Sequence, residues 1–164
     1  MTYYTPQHII DKLHLAMPQG FVDVCSSAEA NQRVKATLYY TDYARQLNTD
    51  DVQGGLGVFA NPPYERGFLE LFVPHFFKFV NKHNSPYVLL VNSSTSSKWY
   101  RTCMDTADWG VFCTGRIGFY DSTLGVENKK NRYDSTFFLG NIYHTSLDNF
   151  KELMVMGARV RLTT

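Results

Sequence analysis

Charge of one sign is missing from this chain. Sixteen lysines and arginines stand against fifteen aspartates and glutamates, a net charge of +1 over 164 residues. No global field draws in a polyanion, so any affinity for nucleic acid has to come from a local patch. Cysteine is scarce and odd in number: Cys25, Cys103 and Cys113 show neither C-x-x-C nor mixed Cys/His spacing. That excludes a disulfide framework and points to a reducing, cytoplasmic location. The five histidines do not supply a ligand set either, with His8 and His14 separated by five residues and His75 and His83 by seven. No metal is expected.

Long apolar runs are absent as well. The most apolar stretch, FLELFVPHFFKFV, is interrupted by Glu70, Pro74, His75 and Lys78 and is too broken to span a bilayer. The opening MTYYTPQHII lacks the basic segment and apolar core of a secretory signal. There is no G-x-S-x-G and no hydrolase arrangement around the serines. Neither an internal repeat nor a low-complexity segment is visible, and the length fits one domain over residues 1–164.

Aromatic rings, by contrast, are plentiful: 12 Phe and 11 Tyr bring their share to 15% with tryptophan included. They punctuate an alternation of short apolar runs and helical patterns. A first helix is expected from Thr5 as cap and Pro6 at the first helical position, with Ile9, Ile10 and Leu13 on its inner face. FVDV (21–24), ATLYY (36–40) and GVFA (57–60) read as strands, and PYVLLVN (86–92), wholly apolar before its final Asn, as a central one. Between Gly67 and His83 the period turns helical, with Phe68, Leu71, Phe72, His75, Phe76, Phe79 and Val80 on one face. Pro74 inside it predicts a kink or a late start. A serine-rich loop then leads into a helix around KWYRTCM. WGVFCTGRIGFYD and STFFLGNIYH read as strands separated by a polar loop. SLDNFKELMVM is a last short helix before a polar tail. The expected architecture is α/β, a mostly parallel central sheet with an antiparallel pair near the C-terminal end and helices on both faces.

The stretch GVFANPPYERGF (57–68) carries the most chemistry. Pro62 and Pro63 lack backbone donors and stop the ladder, and both Asn61 and Pro62 precede a proline and are pushed to an extended conformation. The result is a stiff tip bearing an amide, free carbonyls and a ring. One reading is a strand-ending turn. The other is a grip for a planar amino group. The Asn61 side-chain oxygen and the Pro62 carbonyl accept its two hydrogens, drawing the nitrogen towards a tetrahedral lone pair, and proline stiffness holds both acceptors in place. Tyr64 offers a face on which a base turned out of a duplex can stack.

Asp23, Val24, Cys25 and Ser26 close the first strand at a turn where a nucleoside cofactor needs close backbone approach, usually given by glycines that are missing here. A buried strand end is the alternative. Asp42, after the second strand, suits either ribose hydroxyls or a helix cap, and Asp50 and Asp51 are alternative carboxylates. Arg116, Lys129, Lys130 and Arg132 suit phosphate contacts or a solvated loop. Ligands in such sheets bind beyond the carboxyl ends of the strands, so DVCSS and NPPY should share one crevice.

Taken in order, these segments resemble the phage-type, Dam-like DNA adenine N6-methyltransferases. YTPQHIIDKL is similar to the family's opening T-P-Q segment, FVDVCSSAEAN to its glycine-poor donor motif and YYTDYARQL to its acidic segment. VFANPPY is similar to the catalytic loop, and YVLLVNSSTSSKWYRTCM and GVFCTGRIGFYD to the following strand, Trp-containing helix and G-R-I-x-F strand. The resemblance implies a Rossmann-like methyltransferase fold, S-adenosylmethionine as donor and adenine in DNA, flipped from the duplex, as acceptor. By position it implies that Asn61, Pro62, Pro63 and Tyr64 are catalytic and that Tyr4, Thr5, Pro6, Asp23, Val24, Cys25, Ser26, Asp42 and Asn61 line the donor site. No separate target-recognition domain is expected, so sequence specificity would have to come from loops. One departure is NSSTSSKW, which has only Ser and Thr where the family usually keeps an acid. RNA adenine, a protein glutamine amide, or donor or DNA binding without turnover are the alternative uses of such a chain.

Overall fold

The computed structural model of the chain describes residues 3–49, 52, 54–127, 133–142 and 144–163. A strand β1 (Tyr3–Tyr4) leads into α1 (Gln7–Ala16), then β2 (Phe21–Asp23), α2 (Ala28–Val34), β3 (Leu38–Tyr39), α3 (Tyr43–Thr49) and β4 (Gly57–Ala60). The second half holds α4 (Phe68–Lys82), β5 (Tyr87–Asn92), α5 (Lys98–Thr106), β6 (Trp109–Cys113), β7 (Tyr120–Asp121), β8 (Val126–Glu127) and β9 (Ser135–Gly140). A 3-10 segment (His144–Phe150), α6 (Lys151–Met154) and β10 (Gly157–Arg161) complete it.

Seven strands form one sheet in the order β10-β6-β9-β5-β4-β2-β3. β3, β2, β4 and β5 pair in parallel. β9 runs against its neighbours β5 and β6, and β10 runs against β6. Five strands thus share one direction, and the arrangement is consistent with a Rossmann-like methyltransferase fold. The apolar run of β5 lies at the centre, as its composition predicts: Tyr87 to Val91 are all buried. Its alternate residues face two separate cores. Leu89 and Val91 pack with Phe72, Phe76 and Tyr100 below α4 and α5. Val88 and Leu90 pack with Ile9, Leu13, Phe137 and Leu153 below α1 and α6. Phe72 and Phe76 are fully buried, and truncating either to alanine costs about 3–5 kcal/mol.

Several expectations are corrected. Thr5 does not cap α1: Pro6, extended at ψ 157°, is the cap residue, and Thr5 is buried. Pro74 does not delay α4, which runs from Phe68 through it, and the buried face includes Leu69, Val73 and Phe77 while Leu71 is exposed. WGVFCTGRIGFYD is not one strand. β6 stops at Cys113, and Tyr120–Asp121 joins β1 and β8 in a small antiparallel sheet. The tail is a strand as well, since β10 zips along all of β6. A Cβ on Gly157 would collide with the Phe112 carbonyl, so glycine is needed where that pairing begins.

Candidate active site

The chain leaves β2 for β3 on one side and leaves β4 for β5 on the other, so the strand order reverses between β2 and β4. Loops diverging from such a point open a crevice at the carboxyl ends of the strands. Here the two loops are Val24–Ser27 and Asn61–Glu65, and between them lies a cavity of about 850 Å³. Val24, Cys25 and Ser26 come together there with Asn61, Pro62, Pro63 and Tyr64, and with Tyr4 from β1. The sequence reading missed much of the wall: Tyr40, Tyr43, Phe68, Asn92, Phe119 and Tyr133. Their signal in the sequence is only that each lies at or within two residues of an element's end, and rings are too common in this chain to single them out.

The NPPY loop is built for acceptance. Asn61 Nδ2 donates to Thr5 Oγ1 at 3.2 Å. That bond commits the donor end of the amide to β1's neighbour and leaves Oδ1 as the end able to accept. The Pro62 carbonyl takes no hydrogen bond from the described residues. Pro62 itself is buried while Pro63 is exposed. The Tyr64 hydroxyl reaches into the protein and donates to the Leu90 carbonyl at 3.4 Å, and desolvation there raises its pKa. The residue nevertheless stays 40% exposed, so a ring face is anchored at one edge and open over the cavity.

The opposite wall holds its charge below the surface. Asp23 is 3% exposed and its Oδ1 accepts from the Cys25 N–H at 3.3 Å. Burial lifts its carboxyl to about 7, opposed by the bonds from Cys25 and Ser26. Burial, with Asp23 beside it, also pushes the Cys25 thiol well up, so it is not a thiolate nucleophile. The missing glycines have a physical explanation. No residue between Asp23 and Ser27 takes a positive φ, so the turn admits side chains, and Ser27 goes on to cap α2 by accepting from Ala30 N at 3.0 Å.

The remaining sequence candidates lie elsewhere. Thr5 and Pro6 do not line the cavity, although Thr5 holds Asn61. Tyr4 stacks on Tyr120 with 9° between the rings, which fastens β1 over the site. Asp42 is exposed, caps α3 through Arg45 N at 3.4 Å and pairs with the Arg45 guanidinium at 3.5 Å. Arg116 stands outside the cavity and pairs with Asp134 at 3.6 Å. Lys129, Lys130 and Arg132, with Asp50 and Asp51, lie outside the described residues.

The cavity fits a flat, cationic cofactor. Of its nineteen lining residues eight are aromatic, and the one charged side chain among them is the acid Glu65. Ring faces attract a sulfonium as they do an ammonium, the small residues Cys25, Ser26 and Ser27 allow close approach, and no basic group among the lining residues would repel the charge.

A family model described as DNA N-6-adenine-methyltransferase (Dam) matches residues 2–158 of the chain. Comparison with curated proteins gave no match. Among the described residues no helix is long and apolar enough to cross a membrane, and no group of His, Cys, Asp and Glu could hold a metal ion.

Proposed function

The chain belongs to the DNA N-6-adenine-methyltransferase (Dam) family, which implies DNA as substrate and S-adenosylmethionine as methyl donor, and we propose that residues 61–64 are where adenine is held for that reaction. The observation that carries the proposal is the Asn61–Thr5 bond. It sets the amide so that its oxygen accepts, beside a Pro62 carbonyl that has no other partner among the described residues.

S-Adenosylmethionine, when bound, supplies an electrophilic methyl group on sulfur. Val24, Cys25 and Ser26 would hold it on one wall, with Tyr40 and Thr41 alongside and buried Asp23 supporting the loop from beneath. On the other wall Asn61 Oδ1 and the Pro62 carbonyl accept the two hydrogens of the adenine N6 group. Accepting both localises the nitrogen lone pair, which conjugation with the ring otherwise withdraws, and the prolines spend no reorganisation in doing so. Tyr64 stacks on the base, a contact worth about 1–3 kcal/mol, and thereby offsets part of the cost of taking it out of the duplex. The methyl would pass directly to the nitrogen, the C–N bond forming as the sulfonium C–S bond breaks and one N6 proton then leaving to solvent, and Cys25 takes no covalent part in it. Arg116 and the basic residues Lys129, Lys130 and Arg132 would meet DNA phosphates, and the chain works as a single methyltransferase domain.

The test is transfer of tritiated methyl from the donor to DNA, RNA and protein in parallel reactions. Label in DNA that is recovered as N6-methyladenine supports the proposal. Label confined to RNA or to protein amides would transfer the same chemistry to another substrate, and donor binding without label would leave a binding module.

A further inference from the structure

Asn92 closes β5 and lines the same cavity as Asn61 and Tyr64. Among the described residues its side-chain amide makes no hydrogen bond, whereas those of Asn31, Asn61 and Asn141 are each held. Opposite it across the ladder stands Ser135, wholly buried, with a hydroxyl that has no partner among the described residues. A buried hydroxyl is nearly always bonded, so this one calls for a group that completes it. Alternation brings the three polar residues to one face. Phe59, Leu90 and Phe137 belong to the core below α1, and Asn61, Asn92 and Ser135 each lie two residues from one of them. Ala60 is level with Leu89, so Asn92 stands one two-residue step beyond the level of Asn61 on the neighbouring strand. The strand spacing and rise put their backbones roughly 8 Å apart. That separation lets one amide hold an exocyclic amino group while the other meets the ring edge beside it.

We propose that Asn92 reads the base: its Nδ2 donates to a ring nitrogen flanking the target amino group, and the Ser135 hydroxyl donates to Asn92 Oδ1 and fixes the amide in that orientation. This rests on the adenine reading given above. Adenine carries an acceptor nitrogen on either side of its amino group, N1 and N7, and a site built to donate to one of them rejects a base that lacks it. Asn92 touches the base; Ser135 is a positioning residue.

The test uses a duplex carrying the wild type's own methylation site, mapped beforehand by sequencing, with the target adenine replaced by 1-deazaadenine or 7-deazaadenine. One of the two analogues lowers the wild-type kcat/KM by about tenfold or more, the loss of one hydrogen bond. Asn92→Ala loses about as much on adenine and nothing further on that analogue. Ser135→Ala gives a smaller loss that vanishes in the Asn92→Ala background. Unchanged donor affinity and thermal midpoint in both variants show that they fold. The inference is overturned if Asn92→Ala is as fast as wild type, or if its loss multiplies with that of both analogues. A wild type that methylates no DNA removes the reading beneath it and the inference together.

Discussion

Asp23 makes the account answerable to a pH titration. Its carboxyl is lifted from 3.8 to about 7 by burial, so the folded state binds a proton more tightly than the unfolded chain does. For a raised carboxyl the sign is that the native state is unpenalised below the unfolded pKa and loses stability as pH rises to the folded one. At 1.36 kcal/mol per unit the penalty reaches about 4 kcal/mol above pH 7, of which about 2 kcal/mol develops between pH 5.5 and 8. Asp23→Asn keeps an oxygen for the Cys25 N–H and cannot ionise. Urea unfolding at pH 5.5 and pH 8, without donor, should therefore show the variant gaining about 2 kcal/mol on the wild type over that window. Donor binding should move the opposite way. A cationic ligand favours the carboxylate, so wild-type donor affinity falls by as much as about tenfold per unit below pH 7, and the variant binds weakly with little pH dependence. Parallel stability profiles for the two proteins would refute the reasoning, because no buried ionisation would then separate them.

Thr5→Val removes the acceptor that orients Asn61; kcat should fall about tenfold while donor affinity, read by calorimetry, stays within twofold. Tyr64→Ala should weaken binding of target DNA by about 1–3 kcal/mol, whereas Tyr64→Phe, which keeps the ring, should retain most of it in a filter-binding assay. Cys25→Ser should methylate at a rate near wild type, and iodoacetamide should label native Cys25 slowly at pH 8, since its thiol is held protonated. Asp42→Ala should cost about 1 kcal/mol of stability through lost capping and leave donor affinity unchanged; a large loss of affinity would instead make Asp42 a ribose ligand.

The parts of the fold that were legible are those where composition and burial coincide. FVDV, GVFA and YVLLV are apolar on both faces because helices cover both sides of the parallel strands, and the period over residues 68–82 is strong enough to survive Pro74. What stayed hidden has polar surface or long-range partners. α2, with AEANQRV, buries only Ala30 and Val34, so its pattern is hardly apolar. β10 is exposed almost throughout and exists because β6 offers it an edge. β1 and β7 are two residues each and stabilise one another across more than a hundred positions, which no local pattern records. In the site, the strand-end motifs at residues 23–26 and 61–64 were visible because turn chemistry is local. The Thr5–Asn61 bond and the aromatic wall were not, since each depends on which loops the sheet order brings together, and the choice between the two readings of Asp42, made by its bond from Arg45 N, needed the structure.

The central claim, that residues 61–64 hold an adenine of DNA for methylation, is tested most directly in a host without adenine methylation of its own. Its DNA is digested to nucleosides and analysed by mass spectrometry after expression of the wild type and of Asn61→Ala. N6-methyladenine with the wild type, none above background with the variant, and equal donor binding by both proteins is the predicted result. N6-methyladenine at comparable levels from both would contradict the role of Asn61, and with it the reading of the loop.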